Sequence, residues 1–67
     1  MAVARVTEIS ATSPNGFEDA IRVGLDRARE TLRGLRTAWI KEQEVQLGDD
    51  GHVREYKVNM LVTFVLE

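Results

Sequence analysis

Sixty-seven residues without a cysteine, with nine Lys and Arg against eleven Asp and Glu and a formal net charge of −2, exclude a disulfide-stapled fold and offer no basic patch for a nucleic-acid backbone. A lone histidine leaves no Cys/His zinc set, and the chain holds no apolar run near the ~18 residues a membrane span requires. A single domain over residues 1–67 lies below the ~70–80 residues at which one core suffices, so with covalent and metal staples gone self-association is the staple left over.

The first element is a short strand, Val3 to Ile9, with mixed sides. Thr12-Ser13-Pro14 then reads as a helix start, with Ser13 as the capping acceptor and Pro14 at the first helical position, where its missing N–H is no loss. From there Phe17, Ala20, Ile21, Gly24, Leu25, Ala28 and Leu32 recur at helical spacing and form one apolar stripe. Glu18, Arg22, Asp26, Arg29 and Arg33 occupy the opposite face, with Glu18 and Arg22 spaced for an i,i+4 pair and the arginines placed to complement the helix C-terminus. Gly34 is the expected left-handed stop.

From Thr37 to Leu47 the chain is extended again, but its alternation breaks around Glu42 to Val45, which predicts a bulge or a strong twist there. Gly48-Asp49-Asp50-Gly51 predicts a hairpin turn, and a long strand follows, in which Tyr56, Val58, Met60, Val62, Phe64 and Leu66 share one side. Its other side carries Lys57, Asn59, Leu61, Thr63 and Val65, neither polar enough for water nor apolar enough for a core. The whole is an α+β chain of order β-α-β-β, with one helix over one face of a three-stranded antiparallel sheet and the other face left for a partner. No Ser–His–Asp, Cys–His or paired-carboxylate arrangement has a supporting context, so catalysis is not indicated, and His52 reads as a solvated turn residue. With no charged-then-apolar leader after Met1, the expected location is the cytoplasm.

This layout, with Thr12-Ser13 before the helix, Asp26-Arg27-Ala28-Arg29-Glu30-Thr31-Leu32 within it, and Arg54-Glu55-Tyr56-Lys57-Val58 leading to Phe64-Val65-Leu66-Glu67, closely resembles the dodecin family over essentially the whole chain. The resemblance implies a homo-oligomer, a hollow shell of twelve subunits, that binds small ligands for storage or protection and is best known for stacked flavins at subunit interfaces. Flavin-binding members carry a stacking tryptophan just after the helix in a string like Leu-Asp-Trp-Phe-Glu-Val. The matching string here is Leu35-Arg36-Thr37-Ala38-Trp39-Ile40, so Thr37 stands where the tryptophan would. Lys57 takes the place of a glutamine that grips the flavin ring edge, and Glu44 and Val65 take the places of two arginines.

The resemblance therefore implies a degenerate flavin (FMN or riboflavin) site at Thr37, Glu44, Lys57 and Val65. Trp39, two residues beyond Thr37 and on the same side of the strand, is either a displaced stacking platform or an interface filler. Lys57 is placed to meet an anionic ligand or to pair with Glu44 or Glu55. Some family members bind calcium, and Glu42, Glu44, Asp49 and Asp50 supply oxygen donors suited to that ion, although no calcium-loop spacing is present.

Overall fold

A computed structural model describes residues 3–66. The elements run β1 (Val3–Ser13), α1 (Phe17–Thr31), β2 (Leu35–Leu47) and β3 (Val53–Leu66). The sheet order is β1-β3-β2, with both pairings antiparallel and β3 in the centre. The expected β-α-β-β, one-helix, three-stranded α+β arrangement is thus the one observed. Placing the most evenly alternating strand in the middle follows from its composition, since β3 is the strand flanked on both edges and buries its apolar side most completely.

That inner side is the core. Val58, Met60 and Val62 are fully buried, and Phe64 nearly so. The helix meets them through its small residues: Ala20, Gly24 and Ala28, four apart, are its buried positions, while Phe17, Ile21 and Leu25 are half-buried beside them. A Cβ on Gly24 would stand 2.9 Å from both the Ala11 Cβ and the Met60 Cε, so the missing side chain lets α1 lie directly on β1 and β3. Phe17 closes one end of the core with its ring edge-on to Tyr56, centroids 5.1 Å apart.

Helix and sheet are mismatched in length. Fifteen helical residues rise about 22 Å, whereas the fourteen residues of β3 extend about 46 Å. The chain is correspondingly elongated, 52 × 19 × 14 Å, and Val45, Leu47 and Val53 toward the β2–β3 turn remain exposed.

Local departures from the sequence reading have clear causes. β1 runs on to Ser13, because Ser13 pairs with Tyr56 in the ladder with β3. Ser13 and Pro14 therefore do not begin the helix. Its N-cap is Gly16, at φ 131, and no side chain caps it. The Ser13 hydroxyl, on a residue only 3% exposed, instead accepts from the Asn15 amide at 3.0 Å and donates to the Asp19 carboxylate at 2.5 Å. Arg22 pairs with Asp19 (2.6 Å) and Asp26 (3.3 Å) rather than with Glu18, and Asp26 also holds Arg29.

The helix ends at Thr31 with Leu32 already extended, and Gly34, at φ 74, turns the chain into β2 rather than stopping the helix itself. β2 begins at Leu35 and is irregular at Leu35/Thr37, Ile40/Glu42 and Gln46/Leu47, so the break expected around Glu42 to Val45 falls on Lys41 instead. In the β2–β3 turn Gly51 alone takes a positive φ, while the Asp50 carboxylate accepts from the His52 amide at 3.0 Å.

Candidate functional site

The register decides what the open side of the sheet carries. Thr37 lies opposite Thr63, Trp39 opposite Leu61, Glu42 opposite Asn59, and Glu44 opposite Lys57. On the other edge Val6, Glu8 and Ser10 lie opposite Thr63, Leu61 and Asn59. Since Lys57 through Val65 alternate with the buried residues of β3, all of these residues share the face turned away from the helix.

Trp39 dominates this face. It is 67% exposed, the most exposed large hydrophobic residue among the described residues, and its strand neighbour two positions back is Thr37. Leu61 beside it, and Thr63 and Val65 further along, are half-buried. Val65 is also fixed through its backbone, where its N–H donates to the Gly34 carbonyl at 3.0 Å. Thr37, Trp39 and Val65 thus fall in the apolar half of the open face, toward the end of the sheet at which β2 begins.

The other half is polar and internally paired. Lys57 Nζ lies 3.8 Å from Glu44 Oε1, and Asn59 donates to Glu42 Oε1 at 2.9 Å. Lys41, extruded between Ile40 and Glu42, reaches across the central strand to Glu8, Nζ to Oε1 3.5 Å. These are solvent-facing pairs, each worth about 0–1 kcal/mol, so their effect lies in setting local charge more than in holding the fold. The lysine expected near Glu44 is there. The contacts Lys41–Glu8 and Asn59–Glu42 had no sequence signal, because they join strands whose register the sequence does not state.

The four acidic residues considered for a cation separate into two places. Glu42 and Glu44 belong to the open face, each with a partner, whereas Asp49 and Asp50 lie in the β2–β3 turn. Among the described residues no group of three His, Cys, Asp or Glu side chains gathers closely enough to hold a metal. His52 in the turn is strongly exposed and stands 3.9 Å from Asp50.

One polar cluster on the helix side was not anticipated. Asp19 accepts from Ser13 and from Arg22, and these two contacts hold its carboxyl below the ordinary aspartate range. The same partner raises the Arg22 guanidinium. The cluster ties the end of β1 to the first turn of α1 and faces away from Trp39's side of the sheet. Among the described residues no helix is long and apolar enough to cross a membrane.

Together these features define a small α+β domain with one helix-covered sheet face and one open face that mixes an aromatic, aliphatic residues and paired charges. The chain belongs to the dodecin family, whose model matches residues 3–67. It is similar to the dodecin of Thermus thermophilus, 43% identical over 65 residues covering 97% of this chain and 93% of the relative. It is also similar to the calcium dodecin of Mycobacterium tuberculosis, 31% identical over 64 residues covering 96% and 89%. The solved structure of a dodecin from Streptomyces davaonensis superposes with a TM-score of 0.92 at 41% identity, covering 98% of this chain and 96% of that one.

Proposed function

We propose that the chain is the single-domain subunit of a homo-oligomer, twelve copies by family resemblance, that binds and stores a small ligand without catalysis, in the cytoplasm, through the open sheet face around Trp39. The observation that carries this reading is Trp39 itself. An indole 67% exposed beside Leu61 is apolar surface that a soluble chain rarely leaves to water, and a neighbouring copy or a ligand removes it. Val6, Val23, Val45, Leu47 and Val53 add exposed apolar surface that the same assembly would bury.

In this reading the usual flavin grip is degenerate. Thr37 offers no aromatic face, Lys57 is engaged by Glu44 and has no acceptor for a ring imide, and Val65 offers no side-chain donor. An aromatic stack is worth about 0.5–1.5 kcal/mol beyond the area it buries, and Thr37 forgoes it. Riboflavin and FMN should accordingly bind much more weakly than to members with the stacking tryptophan. The second reading, favoured by Trp39's exposure, keeps flavin through a displaced platform at that residue. A third, supported by the similarity to a calcium dodecin, places Ca²⁺ where Glu42, Glu44, Asp49 or Asp50 of adjoining copies meet.

Mass spectrometry of whatever co-purifies with the intact assembly tests the reading. A bound small molecule other than stoichiometric flavin or calcium supports the first. Flavin released on denaturation and lost in Trp39→Ala establishes the second, and calcium lost in Glu42→Gln or Glu44→Gln establishes the third.

A further inference from the structure

Asn15 lies in the short turn that joins β1 to α1 and is exposed to water. We propose that Asn15-Gly16 is a site of spontaneous covalent modification in the folded protein, where the Asn15 side-chain amide is exchanged for a carboxylate through a cyclic imide with the Gly16 backbone. The Gly16 nitrogen attacks Asn15 Cγ. An N–Cγ bond forms, the Cγ–Nδ2 bond breaks, and the Gly16 N–H proton leaves with the amide nitrogen as ammonia. Water then opens the imide, its oxygen staying on the attacked carbon while a proton returns to the Gly16 nitrogen. Attack at Cγ gives aspartate, whereas attack at the Asn15 main-chain carbonyl carbon gives isoaspartate, whose backbone runs through Cβ and is lengthened by a methylene.

The first step needs a backbone nitrogen that is neither shielded by a side chain nor held by a hydrogen bond. Gly16 has no Cβ, nothing lies within 4 Å of where one would stand, and its φ of 131 is a conformation few other residues adopt. Its carbonyl accepts from the Ala20 N–H at 3.0 Å. Its own N–H, at the N-cap and ahead of the helical ladder, donates to no group among the described residues. The Asp50-Gly51 pair could close the same ring and supplies the contrast. There the Gly51 N–H donates to the Gly48 carbonyl at 2.9 Å, and the Asp50 carboxylate accepts from the His52 amide at 3.0 Å. Asn59, the other asparagine of the chain, is held in the middle of β3 between Ser10 and Glu42 and precedes the fully buried Met60.

The new carboxylate enters a charged neighbourhood. Asn15 shares a surface hollow with Glu18, Asp19 and Arg22, and Ser13 first, then Arg22 and last the Asn15 side chain hold the Asp19 carboxyl low. The exchange replaces that last donor with a like charge, and the isoaspartate form also lengthens the turn that sets where α1 starts.

Peptide mapping by mass spectrometry over time, on the native protein and on a parallel sample unfolded in urea, tests the proposal. Trypsin releases residues 6–22, in which Asn15 carries the sole side-chain amide. At mildly alkaline pH this peptide should gain the mass of an amide-to-acid exchange and separate into two isomers. Opening an exposed turn costs little, so Asn15 in the native protein should react within about tenfold of its unfolded rate. Asn59 has to wait for the sheet to open and should be slowed by ~10³-fold or more. Asn15→Gln, whose longer side chain closes such a ring poorly, should abolish the gain. Asn15 protected as strongly as Asn59, a gain that survives in Asn15→Gln, or aspartate as the single product would overturn the proposal.

Discussion

Replacing Gly34 by alanine strikes the joint that sets where β2 begins, and hence where Thr37 and Trp39 lie on the sheet. Gly34 has φ 74, and its carbonyl accepts from the Val65 N–H at 3.0 Å. A left-handed conformation costs a non-glycine residue about 1–2 kcal/mol. The new Cβ would also stand 2.9 Å from the Val65 carbonyl oxygen, a backbone atom that cannot rotate aside as a side-chain tip would. Overpacking of this kind costs about 1–3 kcal/mol, for a combined loss of about 2–5 kcal/mol.

Gly51→Ala provides the control, because Gly51 has φ 81 and nothing within 4 Å of the added Cβ. It should show the conformational part alone, about 1–2 kcal/mol. Thermal unfolding at fixed protein concentration is the assay, and the low end of the Gly34→Ala loss corresponds to a fall of about 8 °C or more for a chain of this size. Equal shifts for Gly34→Ala and Gly51→Ala would refute the claim that the α1–β2 joint is pressed against β3.

The helix stripe predicts a second loss. Leu25, half-buried against the Ala20, Val58 and Met60 cluster, should cost about 2–3 kcal/mol on Leu25→Ala, the lower part of the large-to-small range. An unchanged melting temperature would show that it does not pack there.

Asp19 makes a pH prediction. Its folded pKa is depressed by Ser13 and then Arg22, so its contribution is fully present above its unfolded value near 3.9 and is lost as pH falls through the lower folded value. Asp19→Asn should therefore lower stability at neutral pH and flatten the acid limb of the stability curve below about pH 4, whereas an unaltered acid limb would refute the coupling. Flavin titration of the apo-protein should give no strong quenching at sub-micromolar protein. Strong quenching abolished by Trp39→Ala would establish the displaced platform instead.

Much of the fold was legible because the period-two run through Val58, Met60, Val62 and Phe64 and the helical stripe from Phe17 to Ala28 mark a buried side, although Leu66, read on the same side, is exposed and Leu32 lies beyond the helix. The shared side of Thr37 and Trp39 followed from their two-residue spacing, and the same alternation put Lys57 on that side. What could not be read was non-local. Thr12-Ser13-Pro14 carries the local chemistry of a helix cap, but the pairing of Ser13 with Tyr56, forty-odd positions away, keeps it in the strand. Alternation announced an irregularity in β2, yet which residue is extruded depends on its register with β3, and that residue is Lys41. The Lys41–Glu8 contact depends in turn on β1 and β2 flanking the same central strand. Of the proposed site, the sequence supplied the residue types and the shared side. It did not supply the pairing of Lys41 with Glu8 and of Lys57 with Glu44.

The mass of the native particle tests the central claim most directly, because the proposed function requires neighbouring copies around the exposed Trp39 and the apolar half of the open face. Native mass spectrometry, or light scattering at micromolar protein, should give a single species many times the mass of one chain. Trp39 fluorescence should shift toward the red when that species is dissociated and the indole meets water. A stable, soluble monomer at that concentration, with Trp39 emitting as a fully hydrated indole, would contradict the account.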